Sequence, residues 1–355
     1  MKSAKFVFIA AVCRAQLDKR IIVIGKGIIL SLMSNATNLT LRAYRGLVDH
    51  PAMIALTNAC HRHEGVEEFE TAESLQHFLH FPHSDPEYDI IVAENAEGII
   101  GYAHTFWRKN RDNSIVHYVF VFVHPDQQRQ GVGTRLFAQL QHRIAALTQQ
   151  TEPNSPHLLL TYVQEKEVAA QAFVNKHSFS VARYLYEMVC PLEHVPNCDD
   201  YPLPAHIELR PALPAHDRAI YNARREAFLD HWGSALPSEE EFQAWINDEQ
   251  RDPSMYVIAW ANDQVAGMVL NEINHSENEA SGRKRGYTDP IAVRRPWRKQ
   301  GLATAMLVRS LHLLRQHGMS EAALSVDTEN PSGALRIYER LGFKAVKKIV
   351  AYQKL

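Results

Sequence analysis

One short turn of this chain occurs twice. The turn QRQGVG at 128–133 returns as RKQGLA at 298–303, each between an apolar β-type run and a helical one. The two lie about 170 positions apart, far beyond a solenoid period, so they mark one domain-sized unit present twice. A length of 355 residues is comfortable for two such units, each able to bury its own core.

The pattern around the two turns agrees. In the first copy, LTLRAY alternates like a strand, residues 50–64 and 71–80 are helical, and DIIVAEN and EGIIGYAHTFW form a hairpin about Asn95–Gly98. A long β-branched and aromatic run, SIVHYVFVFVH, leads into the turn and a helix. HLLLTYV, EVAAQAFVNKH and FSVARYLYEMVC then read strand, helix, strand. Residues 192–205 carry Pro, Asn and Asp without periodicity and read as a linker. The order then restarts: IELRPA, helices over 213–229 and 238–248, a hairpin about Asn262–Asp263, GYTDPIAV, the turn and its helix, AALSVDT, PSGALRIYERLG and FKAVKKIVAYQKL. Ser238 followed by Glu241 is a capping box. The expected division is therefore 1–34 as an extension, 39–191, a linker at 192–205, and 206–355.

Composition narrows the function. A net charge of −2 gives no basic field for nucleic acid. Four cysteines without a CxxC pair fit a reducing, cytoplasmic setting, and 19 histidines show neither HExxH nor zinc spacing, so no metal is expected. The apolar runs within 1–34 are too short to span a bilayer, and no membrane partner is expected. That segment reads as a poorly ordered extension, or as translated upstream sequence ahead of a start at Met33.

The turn itself has a chemistry. A helix opening at Gly301 offers backbone N–H groups without internal partners and the positive end of a dipole. An anion seated there is bound without side chains. Gly301 permits close approach, Ala303 stays small, and Arg298 and Lys299 add charge, which suits a pyrophosphate. The loop is too short for a Walker motif and lacks the Rossmann third glycine.

In this strand–helix–strand–helix–strand frame, the two turns resemble the Q/R-x-x-G-x-G/A signature of the GNAT superfamily of acyl-CoA N-acyltransferases. They match it at Gln128, Gly131 and Gly133 and at Arg298, Gly301 and Ala303. NPSGALRIYERLGF, from Asn330 to Phe343, is similar to the family's later Asn–Ala–Tyr–Gly-Phe element, and the tandem arrangement resembles the mycothiol synthase family. The resemblance spans Leu39 to Leu355. It implies an α/β (α+β) fold of two tandem GNAT-like domains, each a mixed, mostly antiparallel sheet with helices on both faces. It also implies acetyl-CoA as cosubstrate between splayed fourth and fifth strands. The pantetheine arm would pair with Ile291, Ala292 and Val293, and the pyrophosphate would meet Lys299, Gln300, Gly301, Leu302, Ala303 and Thr304. Asn330 joins this cofactor set, with Val123, Gln128, Gly131 and Gly133 as the first copy's counterparts.

The copies are not equal. Placing Gly342-Phe343 over Ser178-Phe179 sets Tyr338 over Val174 and Asn330 over Lys166. The first copy keeps the turn and loses the phenol, which in the family protonates the departing thiolate. A phenol near ~10 can supply a proton as charge develops on a thiol near ~8.5. The first copy is therefore expected to be degenerate and Tyr338 to be the general acid of the second. Glu272, Asp289 and Asp327, at or near strand ends, are open to the acceptor side. Glu272, Asp289 and Asp327 stand as proton-acceptor candidates. Asp289 joins His231 and Trp232 as candidates for binding the acceptor. The expected function is acetyl-CoA-dependent N-acetylation of a small-molecule primary amine by direct attack in a ternary complex, in a monomer or dimer. The rival expectation is an acyl-CoA-binding sensor or partner-binding module without turnover.

Overall fold

The computed structural model describes residues 39–355 apart from 80, 82, 236, 237, 249, 250 and 331. The extension at 1–34, with Met33, lies outside the described residues. The first copy runs β1 (Thr40–Ala43), α1 (His50–Glu64), α2 (Ala72–Leu79), α3 (Pro86–Asp89), β2 (Ile90–Asn95), β3 (Gly98–Lys109), β4 (Ile115–Val123), α4 (Val132–Gln150), β5 (His157–Gln164), α5 (Val168–Lys176) and β6 (Ser180–Pro191). The second runs β7 (Glu208–Arg210), α6 (Asp217–Ala227), α7 (Glu239–Ile246), β8 (Tyr256–Ala261), β9 (Gln264–Glu272), α8 (His275–Ser281), β10 (Arg285–Val293), α9 (Leu302–Gln316), β11 (Glu321–Asp327), α10 (Ala334–Arg340) and β12 (Lys344–Lys354).

Local chemistry accounts for the boundaries. Ser238 caps α7, its hydroxyl accepting from the Glu241 N–H at 3.1 Å. The helix expected from 213 begins as a 3-10 turn at Pro214–His216 before α6. Besides the single-turn α3, one helix, α8, was not expected. Its signals are Asn274, whose side chain accepts from the Glu277 N–H at 2.9 Å, and Gly282, which ends it at φ 67°.

All twelve strands form one sheet, in the order β1-β2-β3-β4-β5-β12-β6-β11-β10-β9-β8-β7. The order is palindromic by copy, so the halves are related by a pseudo-twofold between β12 and β6. Each closing strand has crossed over. β6 pairs antiparallel with β11, β12 pairs antiparallel with β5, and the two pair with each other. Side-chain alternation explains why the exchange is stable. Leu185 of β6 joins Ile349 and Ala351 of β12 in the first copy's core, while Met188 and Cys190 of β6 enter the second copy's core.

The cores lie on two faces. On the front, α1 and α2 cover the first half and α6 and α7 the second. On the back, α4 and α5 pack the first half and α9 and α10 the second. Residues 192–205 are docked rather than loose: Val195, Cys198 and Tyr201 pack on the second copy's back core, and the Tyr201 carbonyl accepts from Arg309 at 2.9 Å.

On the front, the seam is ionic. Arg285 donates to Glu187 at 2.9 Å and to Glu321 at 2.7 Å, and Lys347 approaches Glu187 at 3.2 Å and Glu68 at 3.4 Å. Burying such carboxylates without partners would be costly. The paired cations offset that cost.

Candidate active site

The two turns adopt one backbone conformation. Arg129 and Gly131 stand at φ 62° and 85°, and Lys299 and Gly301 at φ 60° and 81°. Alternating left-handed residues direct successive N–H groups into one concavity, an anion nest. Gly131 and Gly301 are the N-caps of α4 and α9, and neither helix start is capped by a side chain. A Cβ at Gly133 would sit 3.5 Å from Val123 and 3.6 Å from Phe173, ordinary contact distances, which explains why the second copy tolerates Ala303 there.

The first residue of each signature has a structural task. Gln128 Nε2 donates to the Val123 carbonyl at 3.3 Å, and Arg298 Nε to the Val293 carbonyl at 2.9 Å. Arg298 also reaches the Ala227 carbonyl at 2.9 Å and Asp230 at 2.7 Å. The guanidinium fastens the turn to β10 and to the end of α6 with three of its five N–H donors. Hydrogen bonds from Arg295 and Arg298 hold the Asp230 carboxyl well below the usual carboxylate range.

Beside each turn the sheet splits. β4 and β5 run parallel in register only to Tyr118↔Leu160, and β10 and β11 only to Tyr287↔Ala323. Beyond those pairs, Val121–Val123 and Ile291–Val293 keep their antiparallel neighbours and have no parallel partner. That opens one side of their backbone to an added strand-like arm.

The two clefts differ in what fills them. Opposite β9, β10 has a register shift between Thr288 and Ile291, whereas β4 pairs with β3 without interruption. Tyr118 and Tyr287 hold equivalent places, so Phe120 of the first copy corresponds to two residues, Asp289 and Pro290. The extra residue is a β-bulge, which re-aims a side chain. Asp289 points into the split, where its Oδ2 accepts from the Ser325 N–H of β11 at 3.4 Å. Burial pushes its carboxyl up to about 7, against the Ser325 hydrogen bond and with help from the charge of Glu272. In the first copy the corresponding space is aromatic. Phe106, in place of Glu272, stacks on Tyr118 at 4.7 Å, and Tyr162 stands in place of Ser325 with its ring 6.4 Å from Tyr118. Phe106, Phe120 and Tyr162 are all buried.

Tyr338 lies on α10 at the back of the split, buried against Phe343 with ring centroids 6.0 Å apart. Burial raises its phenol above the ordinary tyrosine value, and the Asp289 charge raises it further. Its hydroxyl has no hydrogen-bond partner among the described residues. The equivalence with Val174 is geometric. The Phe343 N–H donates to the Tyr338 carbonyl and the Phe179 N–H to the Val174 carbonyl, each at 3.0 Å, after a positive-φ residue, Gly342 or Ser178.

The remaining expected residues separate. Glu272 ends β9 opposite Tyr287, near enough to Asp289 for its charge to act there. Asp327 closes the turn after β11: its Oδ1 accepts from the Glu329 N–H at 2.9 Å, and its Oδ2 lies 3.8 Å from Arg183. Asn330 is a turn former, accepting from the Ser332 N–H at 2.9 Å. His231 and Trp232 face different neighbours. His231 packs on Phe228 beside Arg298, with its imidazole pushed down to about 4 by burial and then by that guanidinium. Trp232 reaches the first copy's core under Arg183, whose guanidinium lies 5.6 Å from its ring.

Two nests at helix starts, each beside a split parallel pair, define a tandem acyltransferase architecture. The family profile described as acetyltransferase (GNAT) family matches residues 218–343, and that described as acetyltransferase (GNAT) domain matches 86–181. The chain belongs to the GNAT family and carries the domain twice. A mycothiol acetyltransferase of Parafrankia sp. is 26% identical over 281 residues, covering 74% of this chain and 82% of that one. A GCN5-related N-acetyltransferase from Sphaerobacter thermophilus shares the fold at TM-score 0.69 and 24% identity, over 89% of this chain and 95% of that one. A tandem GNAT protein from the clavulanic acid biosynthesis pathway does so at TM-score 0.60 and 14% identity, over 89% and 98%. No helix among the described residues is long and apolar enough to cross a membrane.

Proposed function

We propose that the chain is an acetyl-CoA-dependent N-acetyltransferase whose second copy performs the reaction and whose first copy shapes the acceptor side. The observation that carries this is the asymmetry of the two clefts. Both have the anion nest and the split, but only the second sets a phenol, Tyr338, and a carboxyl, Asp289, about the opening, where the first has Val174 and an aromatic plug.

In this reading the acetyl-CoA pyrophosphate sits on the N–H groups at the start of α9, with Lys299 beside it. The pantetheine arm pairs with Ile291–Val293. A neutral amine attacks the thioester carbonyl from the front, and backbone N–H groups of β10 next to the bulge stabilise the oxyanion. Tyr338 protonates the departing sulfur from the back. Glu272 and Asp289 favour a cationic amine at the front opening by their charge.

The acceptor side is built by both copies. The loop between α6 and α7 lies on the turn between β3 and β4, where the Arg111 N–H donates to the Ser234 carbonyl at 3.0 Å and Arg108 approaches Glu241 at 3.4 Å. Reciprocally, Glu67 pairs with Arg283, and Ser276 donates to Glu73 at 3.3 Å. The relatives named for mycothiol acetylation support a small-molecule acceptor. The test is thiol release from acetyl-CoA with a panel of amines, followed by mass spectrometry of the products. Acetylated amine is the expected result. Tight acetyl-CoA binding without release from any amine would replace the enzyme with a sensor.

A further inference from the structure

The second copy holds one residue more than the first at the decisive point of its fourth strand. Tyr118 lies opposite Phe106 and Tyr287 opposite Glu272; Val121 lies opposite Ala103 and Ile291 opposite Val269. Between these matched pairs the first copy spends two residues, Val119 and Phe120, and the second three, Thr288, Asp289 and Pro290. A regular strand would present position 289 flush with the front face, as it presents Phe120 to the front core. The bulge instead turns the Asp289 carboxyl into the opening between β10 and β11, against the Ser325 N–H. This is the same opening that leads to Tyr338.

We infer that Asp289 is the catalytic base: it takes the proton from the attacking amine and returns it to Tyr338 when the acetyl group has moved. The inference rests on the reading of the second copy as an acetyltransferase. The step balances within the site. The C–N bond forms as the amine lone pair enters the carbonyl carbon, and the nitrogen's surplus proton goes to the Asp289 carboxylate. The C–S bond breaks, and sulfur takes the phenolic proton of Tyr338. A proton passed from Asp289 to the Tyr338 phenolate restores both groups.

The surroundings suit this task. The charge of Glu272 from β9 acts on Asp289, the charge of Asp289 acts on Tyr338 from α10, and the Ser325 N–H of β11 donates to the Asp289 carboxyl. Burial and the Glu272 charge raise its carboxyl to about 7, where a general base works best near neutral pH. Asp327 is tied to Arg183 and to its own turn. Glu272 lies opposite Tyr287, on the near side of the bulge, and acts on Asp289 through its charge.

The test compares Asp289→Asn and Glu272→Gln in the full chain, with D-glucosamine, cysteine amide and putrescine as acceptors. Asn keeps an oxygen for the Ser325 N–H, so acetyl-CoA affinity, measured by calorimetry, should stay within about twofold of wild type and report an intact fold. In D289N, kcat should fall about a hundredfold or more, the lower range of a general-base loss. The wild-type rise of kcat with pH through about 7 should disappear in D289N and persist in E272Q. In Asp289→Ala, added formate should restore part of the rate, which a merely structural role would not allow. Full activity in D289N, or loss of the pH limb in E272Q instead, would overturn the assignment while leaving the acetyltransferase reading intact. No CoA release from wild type with any of the three amines would remove that reading and this inference with it.

Discussion

The nest at Gly301 can be tested with two substitutions that separate strain from charge. Gly301 stands at φ 81°, and a Cβ placed there would meet no atom within 4 Å. Space is therefore not the constraint. An L-residue in the left-handed region costs about 1–2 kcal/mol, so Gly301→Ala should lower stability by that amount in urea unfolding. Gly301→Asp adds a carboxylate where the pyrophosphate is proposed to bind. Two unit charges about 5 Å apart at an effective dielectric near 20 repel by about 3 kcal/mol, roughly a hundredfold in affinity. Calorimetric titration with acetyl-CoA should therefore show a loss for G301D well beyond that for G301A. Gly131→Asp in the first copy should leave turnover unchanged. A folded G301D protein that binds acetyl-CoA within threefold of wild type would refute the nest as the cofactor's seat.

Three further outcomes follow from the packing. Arg298→Ala removes the ties to Val293, Ala227 and Asp230 and should cost about 2–3 kcal/mol, since hydrogen bonds from a charged group contribute about 1.5–3 kcal/mol; urea midpoints measure it. Arg285→Met leaves Glu187 and Glu321 without their guanidinium and should destabilise the chain by about 3–5 kcal/mol, as removing one partner of a buried ion pair does; a loss below 1 kcal/mol would show the seam to be idle. Because β6 and β12 belong to both cores, far-UV and tryptophan signals should report one coincident unfolding transition, and two separated transitions would contradict the exchange.

The element order and the repeat were legible because both rest on local chemistry: alternation in SIVHYVFVFVH, periodicity after each Gly turn, and the Ser238 cap. The loss of the phenol at Val174 was legible too, since the chain supplies its own comparison. The crossing of β6 and β12 was not. Both read as ordinary alternating strands, and nothing in alternation states which neighbour a strand will choose. The bulge had a visible signal, YTDPIAV against YVFVFV, one residue longer between the same tyrosine and valine. Its meaning needs the register, because only pairing tells an insertion in a strand from one in a loop. The charge of Arg298 suggested an anion, while its geometry, matched by Gln128, also makes it a staple between strand end and helix, a role that charge alone did not show. His231 and Trp232 are adjacent in sequence but face different neighbours, which their types alone could not reveal.

Turnover of Tyr338→Phe tests whether the second copy performs the transfer with Tyr338 as acid. Removing a general acid costs roughly 10²- to 10⁴-fold, so kcat for CoA release should fall by at least about a hundredfold with acetyl-CoA affinity within about twofold of wild type. A variant that turns over at the wild-type rate would contradict the account.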